Sequence, residues 1–283
     1  MAQFSTKLKE DINDKKMSQS LIIIKEQLID KKWIILVLGA MIGGMSLLIV
    51  AIIGQMDIEA MMAGYPPELL GLFGADFSNP YGFLSMEVIT VIWMFVGIYM
   101  IFSASLIIPQ EIEEKTIELF LSKPITRKKF LGSKIVSTYM IITGIMVIGF
   151  LMTSGVIPLS PDFVEEGLYF DRLWGTCLVT ILFVGVMAMF SLFCSTIFLH
   201  SKKAMVLGIV VVFAMFFING FYSFLEELEF LQWFTIFRYY NSADYLINPE
   251  LDVYIRDIIV LASLNAVFLI GSLVVFNLKD IPN

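Results

Sequence analysis

The chain has 283 residues, of which 58% are hydrophobic and only 16% are charged, whereas about 25% of the residues in an ordinary soluble domain are charged. A soluble core of this size does not need so many apolar side chains, so the composition predicts a membrane protein. The formal net charge of −7 and the scatter of the basic residues along the chain also disfavour a nucleic-acid partner.

Residues 1–32, which precede the first apolar run, are rich in charge and lack the pattern of a cleaved signal peptide. Residues 20–32 place apolar side chains beside charged ones, which predicts an amphipathic helix that lies in the membrane interface and contacts lipid. A disordered tail is the alternative. The side chains that define this interfacial helix are Leu21, Ile24, Leu28 and Trp33.

Apolar runs of about 20 residues follow, each long enough to cross a hydrocarbon layer about 30 Å thick as an α-helix. We predict spans at about 33–53, 88–108, 135–157, 173–199, 204–224 and 258–276. The sequence therefore predicts an all-α polytopic membrane protein with six transmembrane helices, which form a single transmembrane domain over residues 1–283.

The distribution of lysine and arginine predicts the orientation of the chain, because short cytoplasmic segments are rich in both. With six spans, both termini lie on the same side of the membrane. That side holds all of the basic residues except Arg172, Arg238 and Arg256. We expect the protein in the cell membrane with both termini in the cytoplasm.

A segment of mixed charge, residues 109–134, joins spans two and three on the predicted cytoplasmic side. Its first part has the pattern of an amphipathic helix that starts at Pro109 and ends before Pro124. Thr126 is a suitable N-cap for the helix that enters span three. The glutamates of the segment gain nothing from a negatively charged lipid surface, so the mixed charge favours a protein partner over a simple connector.

The run formed by Glu111, residues 116–119 and residues 121–127, with Lys134 after it, resembles the first cytoplasmic loop of ABC-2 type permeases. These are the membrane subunits of many ATP-binding-cassette (ABC) exporters. The order of parts is also similar to that family: a lead-in helix, six spans, this loop, and an aromatic outer segment at 233–247 before the last span.

The resemblance implies that the loop is a coupling surface for a separate ABC ATPase subunit. It also implies that this chain pairs with a second copy or a similar permease, and that ATP and magnesium bind to the ATPase. The chain itself has no G-x-x-x-x-G-K-[ST] phosphate loop. Lys115 stands where the family usually has glycine. The implied coupling residues are Glu111, Glu113, Glu114, Lys115, Thr116, Glu118, Leu119, Pro124 and Arg127.

The outer segment, residues 225–257, contains too many apolar and aromatic residues for a free loop. We predict that it returns into the outer leaflet or lies on it, with Trp233, Tyr239 and Tyr240 at the interface. By resemblance, such a segment helps to close an outer gate.

Other classes of function receive less support from the residues. A single histidine, His200, lies in a loop, so we expect no histidine-based catalysis and no enzyme. Two alternatives to an exporter subunit stay open: a non-transporting scaffold that docks a cytosolic protein, and a secondary transporter. The second is disfavoured because we expect no ionisable side chain deep in a span. The sequence identifies no cargo-binding residue.

Overall fold

Six helices that are long and apolar enough to cross a membrane form the described part of the protein, which is a computed structural model. They span Gln19–Ile53, Pro80–Ile112, Arg127–Leu159, Phe170–Phe198, Ser201–Gly220 and Leu251–Leu278, which confirms the six predicted spans. The structure describes residues 2–55, 79–113, 126–198, 200–221, 226–248 and 250–279. Side chains are described for residues 19–55, 79–112, 126–198, 200–220, 230–248 and 250–279.

All regular secondary structure in these residues is helical, as predicted. We number the α-helices in chain order and name the short 3₁₀ and π segments by their residues. The α-helices are α1 (Ala2–Ile53), α2 (Pro80–Leu84), α3 (Ile98–Leu106), α4 (Pro109–Glu113), α5 (Arg127–Val156), α6 (Pro161–Glu166), α7 (Phe170–Phe198), α8 (Ser201–Phe221), α9 (Ser242–Ile247) and α10 (Leu251–Leu278). Helices α2, α3 and α4 belong to the second span.

Helix α1 runs without a break from Ala2 to Ile53. The sequence predicts a separate interfacial helix over residues 20–32, but the structure continues that segment directly into the first span. The reason is local: the chain has neither glycine nor proline before Gly39, so nothing in the sequence ends the helix. Ile23 is buried while Leu21 is exposed, so this part of α1 already packs on one side.

Close glycine contacts set α1 against α5. A Cβ atom added at Gly39 would lie 2.7 Å from the Ile148 Cβ, and one added at Gly149 would lie 2.8 Å from the Ile42 Cβ. Residue numbers rise together along the two helices, so α1 and α5 run parallel. Without these glycines the two backbones could not approach so closely.

Helix α7 is the centre of the bundle and the most deeply buried span. It contacts α3, α5, α8 and α10, whereas α1 joins the bundle mainly through α5. This arrangement leaves the outward faces of α1, α8 and α10 exposed, which suits contact with lipid.

Candidate functional site

The second span ends in α4, at the start of the mixed-charge loop. Ile108 is fully buried, and Ile112 packs against the core from one side. Glu111, between them, accepts a hydrogen bond of 2.9 Å from the Lys134 Nζ on α5. Both side chains of this ion pair are more than four-fifths buried. The pair therefore ties the end of span two to the start of span three.

The other end of the loop is held at the start of α5. Thr126 accepts a hydrogen bond of 3.4 Å from the Lys129 backbone amide, so the predicted N-cap is confirmed. The Arg127 Nη1 donates to the Lys279 carbonyl at 2.9 Å. The Lys279 ammonium in turn donates to the Ile197 carbonyl at the end of α7. Spans three, four and six therefore meet beside the loop, and we call this part of the bundle the loop end.

Of the predicted coupling residues, the structure describes three. Glu111 and Arg127 hold the two ends of the loop, and the backbone of Glu113 completes α4. Whether any of them contacts an ATPase stays a prediction. The remaining predicted residues lie outside the described part of the chain: Glu114, Lys115, Thr116, Glu118, Leu119 and Pro124.

The predicted interfacial residues lie on the N-terminal part of α1. Leu21 and Trp33 are strongly exposed, whereas Ile24 and Leu28 are half-buried. The four side chains therefore do not form a single exposed apolar face. The outer exposure of Leu21 and Trp33 is compatible with lipid, but the segment is the start of a long helix rather than a separate one.

Polar groups inside the bundle bond to neighbouring helices. Asn265 on α10 accepts a hydrogen bond of 2.6 Å from the Tyr139 hydroxyl and donates to the Leu182 carbonyl at 2.9 Å. Ser191 on α7 donates to the Ile101 carbonyl at 2.7 Å. These contacts join spans to one another, so Asn265 and Ser191 already serve helix packing.

The outer segment folds back against the end of the bundle opposite the loop end. Its 3₁₀ segments are Glu226–Phe234 and Ile236–Tyr239, and α9 follows. Trp233 is half exposed, which suits the predicted interface. Tyr240, predicted at the interface as well, is only 7% exposed. Its ring stacks on Phe183 with centroids 4.1 Å apart, so that prediction is wrong: aromatic packing on α7 buries the side chain.

A buried carboxylate near the start of α10 was not predicted. Asp257 has no exposed surface, accepts a hydrogen bond of 2.6 Å from Tyr245, and pairs with the adjacent Arg256 at 2.7 Å. Asp257 does not contradict the expectation that no ionisable side chain lies deep in a span, because it lies near the start of the sixth span. Asp257 lies in the second turn of α10, and its partners Tyr245 and Arg256 lie at the same end of the bundle. We therefore interpret the pair of Asp257 with Arg256 as structural.

A sequence signal for Asp257 exists in the periodicity of α10. The buried residues of this helix are Asp257, Leu261, Asn265, Ser272 and Phe276, which share a single face. Polar side chains recurring on one face of an apolar helix indicate that this face is turned toward protein.

Burial of the Tyr245 side chain, its hydrogen bond to Asp257 and the negative charge of that carboxylate all raise the pKa of Tyr245. The phenol therefore remains a hydrogen-bond donor at neutral pH.

Comparison with known proteins identifies the family of the chain. The model of the ABC-2 family transporter proteins matches residues 5–281, nearly the whole chain. Among curated proteins, no relative matches the sequence. The family match covers all six spans and the loop between spans two and three, so the resemblance found in the loop is confirmed. The chain belongs to the ABC-2 transporter family and is a multi-pass membrane transport component.

Proposed function

We propose that this chain is the permease subunit of an ABC exporter, which forms the membrane path for a cargo moved by ATP hydrolysis on separate subunits. Membrane components of the ABC-2 family generally work with ABC ATPase subunits. Two copies, or this chain and a similar permease, assemble with two ATPases that bind ATP and magnesium. Both termini and the loop at 109–134 face the cytoplasm of a cell membrane.

The ion pair between Glu111 and Lys134 is the observation that carries this proposal. A flexible connector would have no need to bury an ion pair at its root, because burial costs solvation energy that only good geometry recovers. A loop that transmits the motion of an ATPase to the spans must be anchored rigidly at both ends. Glu111 firmly joins span two to span three, and Arg127 joins the loop to spans four and six.

The proposal is tested by reversing charge on the first part of the loop. We expect the double variant Glu114→Arg plus Glu118→Arg to lose the bound ATPase subunit, or to lose the stimulation of its hydrolysis, because like charges repel across an interface. The measurement is the amount and activity of the Walker-motif ATPase that co-purifies with the chain from native membranes.

A matched control reverses charge at the opposite end of the bundle. Glu165 and Asp252 are both exposed there, so Glu165→Arg plus Asp252→Arg changes the net charge equally and should leave the ATPase bound and active. If the wild type retains no ATPase, the chain is a scaffold rather than a permease subunit. If the loop variant behaves like the control, the loop is a simple connector.

A further inference from the structure

The second span is not a regular α-helix near the outer segment. Two π-turns interrupt it, at Ser85–Ile89 and Trp93–Gly97. In the first of them the Thr90 amide donates to the Ser85 carbonyl at 2.7 Å, five residues back instead of four. A π-turn is less stable than an α-turn and is often found at functional positions, because it widens the helix and frees carbonyl groups.

The outer segment bonds to the first of these π-turns. Ser242 at the start of α9 lies 2.7 Å from the Ser85 hydroxyl and 3.1 Å from the Thr90 hydroxyl. The Tyr240 hydroxyl donates to the Ile89 carbonyl at 3.1 Å. Hydroxyls of the outer segment therefore bond to the first residue of the π-turn, to its last residue, and to the residue directly after it.

Apolar packing joins the outer segment to the second π-turn. Phe237 lies edge-on to Trp93, with ring centroids 5.2 Å apart. Trp93 is the first residue of that π-turn and is almost fully buried. The rings of Phe183 and Phe216 also surround Phe237. Movement of either π-turn would thus displace a side chain of the outer segment.

The same span carries the loop at its other end. From Ser85 to Glu111 the second span covers roughly 40 Å at 1.5 Å per residue. The rest of the outer segment is tied to three other spans: to the fourth through Arg172 to the Leu246 carbonyl, to the fifth through Thr235 to Asn219, and to the sixth through Tyr245 to Asp257. Of these four spans, only the second leads directly from the outer segment into the start of the loop.

We infer that the contacts of Ser242 and Tyr240 with the first π-turn form a joint, whose contacts must break and re-form when displacement of the second span at the loop moves that span against the outer segment. The π-turns let the span bend there without breaking the whole helix. This inference rests on the proposed function and names how ATPase motion reaches the far side of the membrane. We call these contacts the outer joint.

The test locks the outer joint with a disulfide. The hydroxyl oxygens of Ser85 and Ser242 are 2.7 Å apart, so the variant Ser85→Cys plus Ser242→Cys brings two sulfur atoms close to the bonding distance of about 2.05 Å. The native Cys177 and Cys194 are first replaced by alanine. The complex with its ATPase is placed in nanodiscs, oxidised, and assayed for ATP hydrolysis before and after reduction by dithiothreitol.

A contact of equal length elsewhere provides the control. Ser46 on α1 and Thr153 on α5 also lie 2.7 Å apart, and both are buried. Ser46→Cys plus Thr153→Cys therefore locks two spans that pack together without touching the outer joint. We expect oxidation to lower hydrolysis at least about fivefold, the lower end of typical coupling between sites, in the joint pair alone, with recovery on reduction.

The outcomes separate the two proposals. If the wild type retains its ATPase and the fully cross-linked joint pair hydrolyses ATP as fast as the reduced form, the outer joint is only a packing contact. Equal losses in the joint pair and the control pair also overturn it, since any cross-link would then suffice. A wild type that retains no ATPase overturns the proposed function, and the joint falls with it.

Discussion

Two tyrosine hydroxyls at the outer-segment end of the bundle donate to acceptors of different charge. Tyr245 donates to the buried carboxylate of Asp257, whereas Tyr254 donates at 3.1 Å to the neutral carbonyl of Gly175. A hydrogen bond to a charged group contributes about 1.5–3 kcal/mol to stability, against about 0.5–1.5 kcal/mol for a neutral one. The difference makes the two tyrosines a natural pair for comparison.

We expect Tyr245→Phe to lower the free energy of unfolding by about 1.5–3 kcal/mol, because Asp257 would keep only Arg256 as a partner. Tyr254→Phe should cost less. Unfolding in mixed micelles by increasing amounts of denaturing detergent measures both. Equal losses in the two variants would show that Asp257 gains nothing special from Tyr245.

Among the elements, the pairing of α1 with α5 depends most on individual glycines. Gly39 faces Ile148 across the interface, whereas no atom lies within 4 Å of a Cβ added at Gly44. We expect Gly39→Leu to destabilise the fold by about 1–3 kcal/mol through overpacking, and Gly44→Leu to stay within about 0.5 kcal/mol of the wild type. Thermal unfolding of the two variants in the same detergent compares them directly.

A Gly44→Leu variant as unstable as Gly39→Leu would mean that any leucine harms α1, whichever way it points. That result would contradict the close packing of α1 on α5. A stable Gly39→Leu variant would show that the two helices can separate without cost.

The sequence predicts some elements well and others poorly, for physical reasons. A transmembrane span is predicted from hydropathy averaged over about 20 residues, so a single polar residue such as Asn265 does not prevent its detection. The N-cap at Thr126 is a local signal that depends on a few adjacent residues. The continuity of α1 has a sequence signal too, which is the absence of glycine and proline before Gly39.

Features that depend on tertiary contacts could not be predicted from local patterns. The first π-turn of the second span is bonded from far along the chain: Tyr240 donates to the Ile89 carbonyl, and the Ser242 hydroxyl bonds the Ser85 hydroxyl. Asp257 lies one residue before the predicted sixth span, and its burial depends on a bond from Tyr245, which belongs to another element. At the loop of residues 109–134, the N-cap at Thr126 is predicted by residue type, while the ion pair of Glu111 with Lys134 appears only in the fold.

At the scale of the whole molecule, the positions of the basic residues predict the orientation in the membrane. The third candidate span runs from Arg127 to Leu159, so we expect its two ends on opposite sides of the membrane. Lys128 is exposed at the start of α5, and Leu159 is 76% exposed just after its end. A membrane-impermeant maleimide can therefore tell the two sides apart.

In a background with Cys177 and Cys194 replaced by alanine, we expect Leu159→Cys to react with this reagent in intact cells. Lys128→Cys should react only after the membrane is opened, because lysine-rich and arginine-rich segments stay in the cytoplasm. The two variants control for each other, since both probe exposed positions at the ends of one candidate span. The reverse pattern would place the loop at 109–134 outside the cell, out of reach of ATP, and would remove the basis for an ATPase at that surface.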